Sequence, residues 1–273
     1  TAFGQVAGIP LGKLLATGFG YRWPFLMFAV TMGGAAFLIW RYVPRTNTQL
    51  DEQRLTPKRF VTKYQDVIRG PAVVEAVGAY FLMFCGLGLF TSFLPTWLET
   101  TIGISGYSIA LLFAIGGSAN VMASPMAGHL SDQVGRKPLV VLSCLVLGGL
   151  ITVAPFLITG FTVAAILFFL AMIMVGVRIS PLQSLLTALV PSQKRGLLMG
   201  LAISVGQAGF GIGSLAASAT YGPYGYASNA LAGAAATVLM AALVHWGLPE
   251  PRLRPDDAAD GPTPETPNVA EAP

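Results

Sequence analysis

Apolar residues of this chain are gathered into runs of about 20, the length that an α-helix needs to cross a bilayer. Strands of a membrane barrel would instead be about ten residues long, with alternating polarity. The pattern predicts an all-α, polytopic membrane protein with eight transmembrane helices. The predicted spans cover residues 1–17, 23–43, 71–97, 107–128, 138–158, 161–187, 196–221 and 226–247.

The composition agrees with this prediction and excludes several functions. The 273 residues are 54% hydrophobic and only 10% charged, against about a quarter charged in soluble domains. Cys85 and Cys144 lie inside apolar runs, where cysteine acts as a small apolar side chain. The sequence has no cluster of metal ligands, no phosphate-binding loop and no nucleophile beside a base. We therefore expect that the protein is not an enzyme and that it binds no metal, no cofactor and no nucleic acid.

The positive charges predict the orientation in the membrane. Thirteen of the sixteen Lys and Arg residues lie in alternate connections, at 41–69, 129–137, 188–195 and in the C-terminal tail. On the opposite side the connections contain only Arg22. Cytoplasmic loops carry an excess of Lys and Arg, so we expect these four segments in the cytoplasm. Trp97 ends its span on the outer side, and we expect it to mark that interface.

Two long polar segments lie outside the predicted spans. Residues 44–70 carry many basic side chains, diluted by acidic ones, and two interpretations remain open. The segment is either a solvated linker between helical bundles or an amphipathic helix on the membrane surface. Residues 248–273 are rich in Pro, Asp, Glu and Ala, which predicts a disordered cytoplasmic tail.

One short polar segment contains residues that a simple turn does not need. It reads Gly128-His129-Leu130-Ser131-Asp132-Gln133-Val134-Gly135-Arg136-Lys137, and we call it the signature segment. Gly128 lets two helices approach closely, and Gly135 can adopt the positive φ of a tight reversal. Arg136 and Lys137 hold the segment on the cytoplasmic side. Asp132 has no such explanation.

The signature segment resembles the G-x-L-x-D-x-x-G-R-K loop of the major facilitator superfamily of transporters, except that Gln133 stands where a basic residue is usual. The stretch Gly8-Ile9-Pro10-Leu11-Gly12 is similar to the antiporter motif in the fifth helix of bacterial efflux members. The resemblance implies that residues 1–43 hold the last two helices of the N-terminal half and that 71–247 form the C-terminal six-helix half. Residues 44–70 would be the central loop, and four further spans would precede Thr1.

Five polar residues inside the spans are candidates for substrate binding or coupling. Arg178 is the strongest candidate. Inserting an Arg near the bilayer centre costs about 2.5–3.5 kcal/mol of free energy, so this side chain should face a cavity or a partner. The alternative is that Arg178 extends towards the cytoplasmic headgroups. The others are Lys13, which could also snorkel, and the amides of Asn120, Gln183 and Gln207, which could instead bond between helices. Gly209 and Gly213 predict close helix packing.

The resemblance implies secondary transport of a small solute by alternating access. We expect proton-coupled efflux of a drug-like or sugar-like compound, by a protein that is a monomer when complete, in the bacterial inner membrane. Uptake of an organic solute by symport is the alternative within the family. A non-transporting membrane sensor or an inactive partial protein is the alternative outside it. By family analogy, Asp132 would be held at a helix N-terminus of the other half and gate the cytoplasmic side.

Overall fold

The computed structural model describes residues 8–42, 70–191 and 194–249, and all regular structure in these ranges is α-helical. The predicted central loop, 44–70, and the predicted tail, 248–273, lie almost entirely outside the described residues. The helices are α1 (Ile9–Phe19), α2 (Arg22–Tyr42), α3 (Pro71–Thr91), α4 (Leu94–Thr100), α5 (Gly106–Val134), α6 (Arg136–Leu157), α7 (Phe161–Ala188) and α8 (Arg195–Gly247). The all-α prediction is confirmed.

Six helical segments of the described residues are long and apolar enough to cross a membrane, so the predicted count of eight is not confirmed. Two causes account for the difference. Only residues 8–17 of the first predicted span are described, and the helix found there, Ile9–Phe19, has 11 residues, too few to cross. The last two predicted spans, 196–221 and 226–247, are two helices that meet at a kink without an intervening loop, and together they make one segment of 53 residues, α8.

A sharp bend divides α8 into a first arm, 195–224, and a second arm, 226–247. Gly225 adopts φ 70° and ψ −176°, a backbone conformation that glycine adopts without strain. Side chains stabilise the bend: Thr220 donates to Asn229 Oδ1 at 2.6 Å, and Asn229 Nδ2 donates to the Ala217 carbonyl at 3.2 Å. The kink therefore lies within the predicted connection at 222–225 and separates the two predicted spans, although no loop intervenes.

The C-terminal end of α3 differs from the prediction. The helix breaks at Ser92 and Phe93, and the chain continues as α4. The Ser92 hydroxyl donates to the Gly88 carbonyl at 2.6 Å and lies 2.8 Å from Ser214 Oγ of the first arm. Trp97 of α4 was expected at the interface, but it is buried and its ring stacks on Tyr226 with centroids 4.6 Å apart.

The hydrophobic core consists of two clusters at the two ends of the bundle. One cluster surrounds α4 and the bend of α8; its members include Leu94, Leu98, Leu112, Phe168 and Tyr226. The other joins the starts of α3, α6 and α8 to the end of α7; its members include Val73, Val140, Leu182, Leu198 and Leu248. By contrast α2, which packs on α1, has no buried residue.

Between the two clusters, α3 approaches both arms of α8 at backbone distance. A Cβ atom on Gly209 would lie 2.5 Å from the Phe81 carbonyl oxygen, and one on Gly213 would overlap the Cys85 carbonyl. From the other side, a Cβ on Gly88 would lie 2.5 Å from the Phe210 carbonyl oxygen. The predicted close packing at Gly209 and Gly213 is confirmed, since only glycine fits there.

We expect Gly213→Ala to destabilise the protein, because the added methyl group must push α8 away from Cys85 of α3. Overpacking of this kind costs about 1–3 kcal/mol. Gly211→Ala is the matched control: it lies on the same arm with no atom within 4 Å of an added Cβ, and it brings the same gain in helix propensity. Unfolding of both variants in detergent would be compared. Equal stability of the two would contradict the packing argument.

Candidate functional site

The signature segment is mostly helical, which corrects the prediction of a loop from 129 to 137. Helix α5 continues through Val134, and α6 begins at Arg136, so the turn is the single residue Gly135. Its φ of 99° confirms the predicted positive value, and its N–H donates to the Ser131 carbonyl at 3.0 Å. A glycine at this position ends one helix and lets the next begin immediately.

Two residues of the signature segment have described contacts that bear on packing. A Cβ on Gly128 would lie 3.6 Å from Ser180 Oγ, an ordinary contact, so Gly128 faces α7. Lys137 Nζ donates to the Leu248 carbonyl at 2.9 Å and so reaches the end of α8. Arg136 is half-buried at the start of α6. Asp132 lies in the last turn of α5, and its side chain is outside the described part of the structure.

Arg178 lies in α7 and is the largest fully buried side chain of the described residues, with 1% of its surface exposed. Its Nε and Nη1 atoms have no hydrogen-bond partner. The guanidinium interacts with the Cys144 thiol of α6. Cys144 Sγ lies 3.8 Å from Met240 Sδ of the second arm. A thiol thus lies next to this positive charge, with a thioether behind it.

A small apolar cavity adjoins Arg178, with an interior of about 10 Å³ that is comparable to one water molecule. Its walls come from α3, α6, α7 and the second arm of α8, with the lining residues Gly86, Leu87, Phe90, Leu147, Ile151, Met172, Val175, Arg178 and Thr237. The Thr237 hydroxyl is already used, since it donates to the Gly233 carbonyl at 2.9 Å. This cavity is too small for an organic solute.

No carboxylate balances Arg178 among the side chains that the structure describes. Those acids are Glu75, in the first turns of α3, and Glu99, exposed near the end of α4, so both are far along the helices from the bundle centre. An unpaired charge inside a helical bundle is energetically costly. Arg178 thus occupies the bundle interior rather than an open face, and its predicted role in binding or coupling stays a prediction.

The other candidates lie in different surroundings. Asn120 of α5 is buried, and its backbone carbonyl oxygen lies 2.9 Å from a Cβ placed on Gly176 of α7. Gln183 and Gln207 are exposed, on α7 and on the first arm of α8. Lys13 lies in α1, and its side chain is outside the described residues. No hydrogen bond within the described ranges joins Arg178 to these amides.

Tyr80 is a polar residue that the sequence analysis did not identify. Its hydroxyl is buried on α3 and interacts with the Gln183 side chain, without a hydrogen bond of good geometry. Tyr80 therefore places a buried hydroxyl of α3 beside one of the candidate amides on α7. The sequence does contain a signal for this residue: its phenol oxygen lies about ten residues inside an apolar span, where a polar group needs a hydrogen-bond partner.

Comparison of this chain with known proteins identifies a family to which its sequence is similar. The family model described as Major Facilitator Superfamily matches residues 1–132 and 76–271. The uncharacterised MFS-type transporter YceJ of Bacillus subtilis is 24% identical over 81% of this chain and 55% of its own length. The ectoine/proline transporter ProP of Corynebacterium glutamicum is 32% identical over 71% of this chain and 41% of its own length.

The quinolone resistance protein NorA of Staphylococcus aureus is 26% identical over 60% of this chain and 43% of its own length. This chain therefore spans about half the length of the curated relatives that it matches.

We expect Arg178→Met to leave the unfolding temperature unchanged or to raise it. The substitution removes a buried positive charge that has no acceptor at two of its nitrogens and keeps most of the side-chain volume. The gain is at most about 2.5–3.5 kcal/mol, the cost of a central Arg. Arg195→Met is the control, since Arg195 is exposed and its Nε donates to the Thr187 carbonyl at 3.2 Å.

Thermal unfolding of both variants in the same detergent would check this. A clear loss of stability specific to Arg178→Met would mean that the guanidinium has a strong acceptor, and the description of an unpaired charge would be wrong.

Proposed function

This chain belongs to the major facilitator superfamily, a family of transporters rather than enzymes, and from that premise we propose that the protein moves a small solute across the membrane by alternating access. We propose further that it works by proton-coupled efflux of a drug-like or sugar-like compound. The observation that carries the proposal is the signature segment between two membrane-length helices, with its reversal at the single residue Gly135. The coupling partner would be the proton.

Two observations favour efflux. One relative of this chain is named as a quinolone resistance protein. The stretch from Gly8 to Gly12 is similar to the motif of efflux antiporters. Uptake of an organic solute is the second candidate, since the relative with 32% identity is named as an ectoine/proline transporter. A non-transporting sensor or inactive partial protein is the third, because the chain spans about half the length of its relatives.

We infer the following organisation of the chain in the membrane. Residues 1–43 supply the last two helices of the N-terminal half, 44–70 the central loop and 71–247 the C-terminal half. The two arms of α8 act as separate spans, because the second arm alone contains about the 20 residues that a crossing needs. With a first span that includes α1, the count is eight. The complete protein works as a monomer in the bacterial inner membrane.

The site residues divide into three groups in this proposal. Gln183 and Gln207 are exposed and contact the substrate where the two halves of the transporter face each other. Arg178 and Asn120, which are buried, support this site from within the bundle. Lys13 contributes from the N-terminal half. Asp132, with the rest of the signature segment, gates the cytoplasmic side.

Transport by the complete protein in membrane vesicles tests the proposal. In everted vesicles that are acidified inside by respiration, a fluorescent quinolone should accumulate, and a protonophore should abolish its accumulation. Proton-driven accumulation of labelled proline in right-side-out vesicles, without quinolone transport, would favour the uptake candidate. If neither probe moves and no other drug-like or sugar-like solute moves, the non-transporting alternative stands. Arg178→Met should abolish transport, Arg178→Lys restore it partly and Arg195→Met leave it intact.

Cysteine labelling tests the proposed orientation in intact cells. In a background with Cys85 and Cys144 replaced by Ala, we expect Thr159→Cys and Tyr224→Cys to react with an impermeant thiol reagent added outside. Both positions are exposed, in the 158–160 connection and just before the bend of α8. Gln53→Cys and Ser192→Cys should react only after permeabilisation, because they lie in segments rich in Lys and Arg. External labelling of Gln53→Cys would reverse the orientation.

A further inference from the structure

The second residue of α6 makes a contact that the signature segment alone does not suggest. Lys137 Nζ donates to the backbone carbonyl of Leu248 at 2.9 Å, across 111 residues of chain. Leu248 is the C-terminal cap residue of α8. The last carbonyls of a helix have no intrahelical donor, and a cation is favourable at this end of the helix dipole. Lys137 meets both requirements with one ammonium group.

One face of the end of α8 is buried, although His245 and Trp246 are exposed, so that the carbonyls on the buried face cannot all rely on water. Leu248 has 2% of its surface exposed and packs in the cluster that includes Val73 and Leu198. Gly247 lies directly against the Glu75 side chain of α3, with no room for a Cβ atom. The starts of α3 and α6 thus enclose the end of α8. A carbonyl on the buried face of a helix end needs a donor from another element.

We propose that Lys137 is a positioning residue, whose role is to clip the end of α8 to the turn at Gly135. The inference rests on the proposed alternating access, because a clip of this kind makes the turn and the last helix move as one body when the halves rock. It gives Lys137 a role inside its own half. Asp132, by contrast, is proposed to act on the other half.

The side-chain chemistry of Lys137 supports this role. The residue is half-buried, so its hydrocarbon stem lies along the bundle while its ammonium reaches the carbonyl. Lys137→Met keeps the stem and removes the donor. Lys137→Arg keeps both a stem and donors, although with a planar geometry. The pair of variants separates the hydrogen bond from the packing.

Hydrogen exchange of the purified complete protein, read by mass spectrometry, tests the clip directly. In Lys137→Met, amides of the last turn of α8 should exchange roughly tenfold faster, as loss of a charged hydrogen bond predicts, while the first arm is unchanged. Lys137→Arg should restore most of the protection. Lys194→Met is the control, since Lys194 is an exposed basic residue that precedes α8. Unchanged exchange in Lys137→Met, or faster exchange spread evenly over the helices, would overturn the proposal.

Transport kinetics of the same variants give the second readout. We expect Lys137→Met to lower the turnover rate several-fold at an unchanged half-saturating substrate concentration, and Lys137→Arg to rescue the rate. Asp132→Asn should slow turnover without changing exchange at the end of α8. If the protein moves no solute, the proposed function fails while the exchange result still decides the clip. If turnover is normal in Lys137→Met despite faster exchange, the clip has no part in transport and the positioning role is wrong.

Discussion

Backbone contact between α3 and both arms of α8 is the constraint on which the rest of this structure depends. Gly88, Gly209 and Gly213 bring α3 and the first arm together, and Gly86 meets Gly233 of the second arm, where a Cβ on either residue would lie 3.1 Å from the carbonyl oxygen of the other. In lipid, helices gain little from hydrophobic burial, so close van der Waals packing must hold them together. Such packing is short-ranged, and it therefore fixes the bundle as a rigid body.

Polar contacts between helices lie at the two ends of this rigid body. Near the bend of α8, hydrogen bonds join Ser92 to Ser214 and the Tyr226 hydroxyl to the Phe90 carbonyl. At the other end, Lys137 joins α6 to the end of α8. In the middle, the described hydrogen bond between side chains of different helices is the weak one from Cys144 to Met240. Directional contacts thus set where the helix ends lie, while glycines set how closely the helices pack.

Much of this arrangement could be predicted from the sequence, because the apolar runs and small residues are local signals. The all-α class, the positive φ of Gly135 and the close packing at Gly209 and Gly213 followed from residue types alone. The extent of helix around Gly135 could not, because the polar residues before Gly135 are typical of a loop, whereas α5 continues through them to Val134. Trp97 looked like an interface residue, and only the bend of α8 brings Tyr226 against its ring.

The candidate site was harder to predict, because burial depends on which face of a helix meets its neighbours. Gln183 and Arg178 lie five residues apart on α7, yet one is exposed and the other has 1% of its surface exposed. An amphipathic pattern would have separated such faces, but α7 is apolar on all sides and carries no such pattern. The Lys137 contact was hidden for another reason, since its acceptor is a backbone carbonyl 111 residues away.

Arg178 sets the rigid bundle apart from a purely structural assembly. A bundle held by glycine contacts gains nothing from a guanidinium with two unpaired nitrogens beside an apolar cavity. Such a group lowers stability, and intramembrane charges that persist despite this cost usually serve ion or substrate pathways. Because Pro181 removes a helical hydrogen bond three residues further along α7, the backbone near Arg178 can yield more easily than the glycine-packed α3. The buried charge therefore lies beside a position of α7 where a local change of backbone meets less resistance.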